Sequence, residues 1–276
     1  MSSSIRILRV AQTESARRAE WLAALQDFPP ESAKLLKHDG GAEVHRAHVA
    51  GRDTVIKSWR LGSPWEGFKV LFRQSRADRH WRGADWLIRH RIPTARMYTL
   101  ATRRDADGIR LYLVMEALPG KTILQHLADP DLTVRQEHAV ARSLGEQAAA
   151  FMYLRHYNRD PKPSNQIVTS VSDRTATVAL IDCVGIKRNI WFDSDEPIPM
   201  LARMVIESSG VGLTPRRTLL MRGLRSYGDF FARTRGGNGA RGFDRAARNQ
   251  AWRDVAEFIE LHGDPTPRVN PLAPSR

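Results

Sequence analysis

The chain has 276 residues, of which 42% are hydrophobic and 26% are charged. A chain of this length and composition can bury a full core, which excludes the disordered and fibrous classes. Lys and Arg together number 43 against 30 Asp and Glu, giving a net charge of +13. This surplus fits phosphates, nucleic acid or an anionic membrane as partners, and it fits equally an arginine-rich composition without functional meaning.

The single cysteine, Cys183, excludes an intramolecular disulfide and any metal site built from several cysteines. The first ten residues are too polar for a secretory signal, and no apolar run is long enough for a transmembrane helix. We therefore expect a cytoplasmic protein, with peripheral association at the inner face of the cytoplasmic membrane as an open alternative.

The first part of the chain predicts one helix followed by short strands. Residues 13–26 carry apolar positions at helical spacing, and two prolines end that helix. Short runs rich in valine and separated by glycine-containing turns then predict an antiparallel meander over 33–37, 42–49 and 53–59. Residues 75–90 place apolar side chains on one helical face and arginines on the other, so a second helix is expected there.

The later part of the chain changes from strands to helices. Two strand-like runs, 97–102 and 109–115, precede a break at Leu118-Pro119-Gly120. The pattern then predicts helices at 122–128 and 133–155, a hairpin of 166–171 and 176–181, and a mainly helical remainder from Pro199. We therefore predict an α+β protein whose parts are a helical N-terminal segment (1–30), a small strand-rich lobe (31–117) and a larger helical lobe (118–276).

Residues 158–165, Asn-Arg-Asp-Pro-Lys-Pro-Ser-Asn, carry the strongest chemical signal. Phosphoryl transfer needs a carboxylate that accepts the proton of the attacking hydroxyl and a nearby oxygen ligand for Mg²⁺. Asp160 and Asn165 have the spacing with which a kinase catalytic loop meets both needs, and Lys162 would offset charge on the transferred group. Taken alone, such a pair is common in ordinary polar loops.

Two further features stand in the order that a kinase requires. An apolar strand ends at Asp182, with Gly185 three residues later, which is typical of a metal-binding carboxylate beside a triphosphate. Upstream, Lys57 lies in an apolar strand, from which a lysine would reach the α- and β-phosphates. Taken alone, Asp182 could be an ordinary turn residue and Lys57 an ordinary solvent-facing lysine. Because Lys57, the Asp160 loop and Asp182 follow one another in the order of a kinase, with the expected strands and helices between them, they predict a kinase-like fold.

From about residue 40 to about residue 235, the sequence resembles the lipopolysaccharide (Kdo) kinase branch of the protein-kinase-like superfamily. Besides the catalytic and metal loops, the pieces that carry the resemblance are 55–57, 75–77 through 91–94, the hinge-like run 111–120 and the helical segment 215–227. The resemblance implies a two-lobed fold, with a small antiparallel-sheet N-lobe containing one helix and a larger, mainly helical C-lobe. It also implies ATP- and Mg²⁺-dependent phosphorylation of a sugar hydroxyl on the lipopolysaccharide inner core or a related glycoconjugate.

The resemblance assigns roles residue by residue. Asp160 would be the general base, and Asn165 with Asp182 would bind Mg²⁺. Together with Lys162, these three residues are the predicted catalytic residues.

For the nucleotide, the resemblance implies that Lys57 holds the phosphates and that the backbone of Glu116 and Ala117 meets the adenine. The implied partners are ATP, a glycoconjugate acceptor and an anionic membrane surface, and nucleic acid is not expected.

The sequence departs from the family pattern in the helix before Pro93. His80 stands where the family has a Glu that pairs with the strand lysine, and Asp78 or Asp85 would have to replace it. Asn158 stands where kinases usually carry His, a structural position that an amide is expected to fill by hydrogen bonding. The His80 departure keeps a nucleotide-binding pseudokinase open, and a small-molecule or protein kinase on the same fold is a further alternative.

Four arginines near the C-terminal part of the resemblance fall at helical spacing, namely Arg216, Arg217, Arg222 and Arg225. They predict a basic helix face that meets either phosphorylated lipid or water. The net charge alone would also allow a nucleic-acid-binding protein, which is the weakest of the alternatives.

Overall fold

The structure is a computed structural model, and it describes residues 4–39, 41–106, 108–188, 197–234, 245–263 and 272. Of these residues 48% are helical and 28% lie in strands, mostly antiparallel, which confirms the predicted α+β class. The chain divides into two compact units, the first ending at Leu118 and the second beginning at Pro119. None of the described helices combines the length and the apolar character needed to cross a bilayer.

The first unit is built on an antiparallel sheet. Its strands are β1 (Ser4–Val10), β2 (Lys34–Asp39), β3 (Ala42–Val49), β4 (Arg52–Leu61), β5 (Met97–Asp105) and β6 (Gly108–Glu116). Its helices are α1 (Arg18–Gln26), α2 (Pro64–Leu71) and α3 (Arg76–Arg89). The six strands follow the order β1-β5-β6-β4-β3-β2. The meander, the strand pair and α3 were predicted, whereas β1 and α2 were not.

The N-terminal segment is part of the first unit's core, so the prediction of 1–30 as a helical segment was incomplete. β1 pairs with β5 at the edge of the sheet. Ile7 of β1 and Trp21 and Leu25 of α1 lie in one buried cluster with Ile56 and Val114. β1 mixes aliphatic residues with two arginines, and its pairing with β5, about ninety to a hundred positions away in the chain, makes it a strand.

β4 places Lys57 at the centre of the sheet. The strand alternates, since its buried residues are Thr54, Ile56 and Ser58. Ile56 belongs to the cluster that contains the side chains of α1. Because successive side chains of a strand point to opposite faces, half-buried Lys57 lies on the other face. It is in register with Val44 of β3 and Leu113 of β6.

The second unit is mainly helical. Its helices are α4 (Ile123–Leu127), α5 (Val134–Tyr153), α6 (Pro197–Gly210), α7 (Arg217–Thr234) and α8 (Arg245–His262). Its strands are β7 (Lys121–Thr122), β8 (His156–Asn158), β9 (Gln166–Val171), β10 (Ala176–Leu180) and β11 (Ile186–Arg188). β9 and β10 form the predicted hairpin, with β7 beside β9, and β8 pairs separately with β11.

Three helix starts that the sequence predicted have a local cause. α3, α4 and α5 each begin with a capping box, in which the side chain at the cap and the side chain three residues later exchange hydrogen bonds with the backbone. The pairs are Ser75 with Asp78, Thr122 with Gln125, and Thr133 with Gln136. These interactions depend only on neighbours in the chain, so the sequence alone locates them.

Candidate functional site

The loop between β8 and β9 brings together three of the predicted catalytic residues. Lys162 Nζ lies 3.2 Å from Asp160 Oδ1. Asn165 Nδ2 donates to Asp160 Oδ2 at 3.1 Å. The Asp160 side chain is 44% exposed, so a substrate can reach its carboxylate. A single turn of 3₁₀ helix, Pro163–Asn165, folds the loop back and makes these contacts possible.

Asn158 fixes the start of the same loop from inside the second unit. Its side chain is buried, and its Oδ1 accepts a hydrogen bond from the backbone N–H of Asp160 at 3.0 Å. This contact confirms the expectation that an amide fills the structural position by hydrogen bonding. The bond holds the backbone of Asp160 and thereby limits where its carboxylate can lie.

The loop that carries Asp182 is bonded directly to the Asp160 loop. The backbone N–H of Ile181 donates to the carbonyl of Asn165 at 2.9 Å, which places the predicted metal ligands at adjoining backbone positions. Asp182 Oδ1 accepts from the N–H of Val184 at 3.1 Å and so turns the chain after the strand. Two residues beyond, Ile186 of β11 pairs with Asn158 of β8.

Gly185 lies in close backbone contact with the Asp160 loop. Its carbonyl accepts from the N–H of Arg159 at 3.0 Å. A Cβ at this position would lie 2.8 Å from Asn158 Oδ1 and 3.1 Å from the backbone nitrogen of Asp160, so a larger residue would push the loops apart. The sequence singled out Gly185 by its spacing from Asp182, and the structure adds the physical reason for a glycine.

The oxygen atoms at this point suit a hard divalent cation. No group of three or more His, Cys, Asp or Glu side chains gathers anywhere in the described ranges. Mg²⁺ needs fewer protein ligands, because one or two side-chain oxygens and the phosphates of a substrate can complete its shell. Asn165 uses Nδ2 toward Asp160, which turns its amide oxygen to the opposite side of the group. Asn165 and Asp182 therefore fit the magnesium ion that the sequence predicts.

α6 supports the Asp160 loop through residues that the sequence did not single out. Glu207 accepts from Ser164 twice, from the backbone N–H at 2.8 Å and from Oγ at 2.6 Å. Arg203 donates to the carbonyl of Arg159 on the other side of Asp160. These residues lie about forty positions downstream and match no motif, so only the packing of α6 against the loop reveals them.

The predicted nucleotide-binding residues lie in the first unit. The backbone N–H of Glu116 donates to the carbonyl of Arg96 at 2.8 Å, and that of Ala117 donates to the carbonyl of Asp53 at 3.1 Å. Both amides are therefore used inside the unit. An adenine contact through these two residues would use their carbonyl oxygens.

α3 uses both carboxylates that the sequence offered as partners for Lys57. Asp78 is buried in the cap of α3, where its Oδ2 accepts from the N–H of Ser75 at 3.2 Å. Asp85 forms an ion pair with Arg9 of β1 at 2.8 Å. His80, at the position where the family has its Glu, is completely buried within α3.

The arginines of the predicted basic face around α7 are largely engaged within the second unit. Arg216 forms an ion pair with Glu137 of α5, and Arg217 lies over the ring of Trp252 at 5.5 Å. Arg225 Nε lies 3.8 Å from Asp229. These contacts account for three of the four charges by packing and local pairing.

The chain was compared with protein-family models and with curated proteins. No family model matches the chain, and no curated protein matches it.

Proposed function

We propose that this protein is an ATP- and Mg²⁺-dependent phosphotransferase of the protein-kinase-like kind, acting on a sugar hydroxyl of the lipopolysaccharide inner core or a related glycoconjugate. The observation that carries the proposal is the bonding of the Asp160 loop to the Asp182 loop. Asp160 contacts Lys162 and Asn165, and Asn165 is bonded in turn to the residue before Asp182. A base, a cation and two metal ligands are the parts that phosphoryl transfer requires.

In this proposal Asp160 is the general base. Its exposed carboxylate accepts the proton of the acceptor hydroxyl while the hydroxyl oxygen bonds to the γ-phosphorus. The bond from that phosphorus to the β-phosphate oxygen breaks, and ADP leaves with the electron pair. Asn165 and Lys162 hold the carboxylate from its two oxygens, so it does not have to reorient during transfer.

The remaining roles concern the nucleotide. A bound magnesium ion would offset the charge of the β- and γ-phosphates. Asn165 and Asp182 would hold it through their side-chain oxygens. Lys57 would pair with the α- and β-phosphates, and the carbonyl groups of Glu116 and Ala117 would accept from the adenine amino group.

The test is transfer of labelled γ-phosphate to purified lipopolysaccharide core and to membrane glycolipid extracts. D160N should lower transfer by about 100-fold or more, because it removes the base. It should keep the increase in melting temperature that ATP with Mg²⁺ produces. D182N should lose that increase, since it removes a metal ligand. D173N, in the exposed turn of the β9–β10 hairpin, is the matched control and should change neither quantity.

Two outcomes would contradict the proposal. If ATP with Mg²⁺ gives no thermal shift in the unmodified protein, nucleotide binding is wrong. If a generic protein substrate is phosphorylated and saccharide is not, the acceptor is wrong and a protein kinase replaces it.

One observation favours a second candidate, a nucleotide-binding pseudokinase. His80 lies completely buried in α3 at the position of the Glu that kinases use to position the strand lysine, and Asp78 and Asp85 bond to Ser75 and Arg9. A thermal shift with Mg²⁺ and ATP, without transfer to any saccharide or protein, would identify the pseudokinase.

A further inference from the structure

A cluster of apolar side chains stands exposed on α2 and the residue after it. Trp65, Phe68, Leu71 and Phe72 are 61%, 47%, 75% and 57% exposed. They are four of the ten strongly exposed large apolar side chains among the described residues, and they fall within eight positions. An exposed contiguous apolar patch of this kind is often a functional surface. We call these four residues the α2 patch.

The patch is an ordered face of a well-formed helix. The rings of Trp65 and Phe68 stack with centroids 5.3 Å apart, and Phe72 follows Phe68 at 4.3 Å. Their spacing of three and four residues puts them on one side of α2. The opposite side carries Gly67 and Val70, which are half-buried. The helix therefore turns its large apolar side chains away from the unit to which it belongs.

The stretch of chain that carries the α2 patch is basic. Residues 60–82 contain six cations, namely Arg60, Lys69, Arg73, Arg76, Arg79 and Arg82. The two acids of this stretch serve as helix caps. Glu66 accepts from the N–H of Gly62 at 2.6 Å, and Asp78 is buried in the cap of α3. Lys69 lies 5.7 Å from the centre of the Trp65 ring, so cation and aromatic ring share one surface.

We infer that the α2 patch docks on an anionic lipid surface. Tryptophan and phenylalanine enter the interfacial region of a bilayer, and the cations beside them pair with lipid phosphates. Three rings exposed by about half offer about 300 Å². A stable protein–protein interface needs about 800 Å² on each partner, so the patch is too small to hold a protein by itself.

This inference does not rest on the proposed function. It depends on the exposure and charge of residues 60–82, and a vesicle-binding measurement needs neither nucleotide nor turnover. Failure of phosphotransfer would leave it intact, and failure of lipid binding would leave the phosphotransferase proposal intact.

The experiment is flotation of the full chain with two kinds of vesicle, phosphatidylcholine mixed with phosphatidylglycerol and phosphatidylcholine alone. We expect binding to the anionic vesicles that weakens as salt is added. The combined variant W65S/F68S/F72S should lower the partition coefficient at least about tenfold. L261S is the matched control, because Leu261 is 70% exposed on α8 and lies outside the patch.

The charge component has its own pair of variants. R76E/R79E should weaken binding about fivefold or more, since each cation near an anionic surface contributes measurably to attraction. R135E/R253E changes the net charge equally at exposed positions in the second unit and should weaken binding much less. Quenching of tryptophan fluorescence by brominated lipid should decrease in W65F, which keeps the apolar character and removes the indole.

Three results would overturn the inference. The first is no binding of the unmodified chain to anionic vesicles at low salt. The second is binding that W65S/F68S/F72S and L261S reduce equally. The third is a sedimentation profile in which W65S/F68S/F72S abolishes self-association while vesicle binding persists, which would make the patch a protein–protein surface.

Discussion

A single residue, Gly185, lets the two loops of the candidate site meet in backbone contact. A methyl group there would lie within 3.1 Å of the backbone nitrogen of Asp160 and closer still to the Asn158 side chain. The Asp160 nitrogen is backbone, and the Asn158 amide is buried and hydrogen-bonded to that nitrogen, so the loops must separate to admit the methyl group. The spacing Asp-x-x-Gly suggested this residue from sequence, but the sequence does not show which atoms it approaches.

We predict that G185A lowers the free energy of unfolding by about 1–3 kcal/mol, because overpacking shifts the surrounding backbone. It should also lower γ-phosphate transfer at least tenfold, since the proposed base and the proposed metal ligands move apart. Urea unfolding and the transfer assay check the two effects. The control is G62A, where a Cβ meets nothing closer than 3.8 Å. Equal behaviour of the two variants would show that Gly185 is not a tight contact.

His126 illustrates how burial converts one residue into a pH-dependent contribution to stability. His126 is 6% exposed, and its Nε2 has no hydrogen-bond partner among the described residues. Burial lowers the pKa of His126 below its ordinary value of 6.5. Burial likewise lowers the pKa of His45 and of His138. The unfolded chain therefore binds protons at a higher pH than the folded chain does.

The sign of the effect follows from proton linkage. As the pH falls through about 6.5, the unfolded state gains protons that the folded state does not, so the free energy of unfolding decreases. We predict this decrease between pH 7 and pH 5 and a shallower slope in H126Q, measured as melting temperature against pH. H48Q changes an exposed histidine and is the control. An unchanged slope in H126Q would contradict the assignment.

At the scale of secondary-structure elements, Gly145 and Gly223 lie where α5 and α7 contact each other. A Cβ on Gly145 would lie 2.0 Å from the carbonyl oxygen of Gly223. The two helices therefore approach with backbone against backbone, a distance that no side chain permits. Nothing in the local sequence of either helix predicts this contact, because glycine inside a helix is unfavourable by itself.

We predict that G145A lowers the free energy of unfolding by about 2 kcal/mol or more, since α5 and α7 must move apart. The control is G67A in α2, where a Cβ would have no atom within 4 Å. That variant should be neutral or stabilising by up to about 1 kcal/mol, because alanine favours the helix. Urea unfolding of both proteins measures the difference. A similar loss in the two variants would rule out a specific helix contact.

The charge of the whole molecule has an uneven distribution that composition could not show. Several arginines pair with acids inside one unit, as Arg46 does with Asp53 and Arg233 does with Glu146. The arginines around α7 are mostly engaged in the same way. In residues 60–82 both acids bond at helix starts, and Lys69 lies beside the exposed ring of Trp65. Residues 60–82, with six cations and two acids, therefore contribute four charges to the surplus of +13 in the stretch that carries the α2 patch.

The sequence alone determined those features that depend on neighbours in the chain. These are the α+β class, the capped helix starts, the β9–β10 hairpin, and the spacing that marks Asp160, Asn165 and Asp182 as candidates. Each arises from residues within a few positions of one another, so periodicity and turn chemistry are enough to find it.

The tertiary structure decided everything that depends on contact between distant segments. β1 is a strand because β5 pairs with it, and the Asp160 loop is held by Glu207 of α6, a residue outside every motif. The same is true of Asp78 and Asp85, whose roles were open until capping and Arg9 accounted for them. The α2 patch became visible only when packing left its rings exposed, because apolar residues in a sequence predict burial and only the folded chain shows where burial fails.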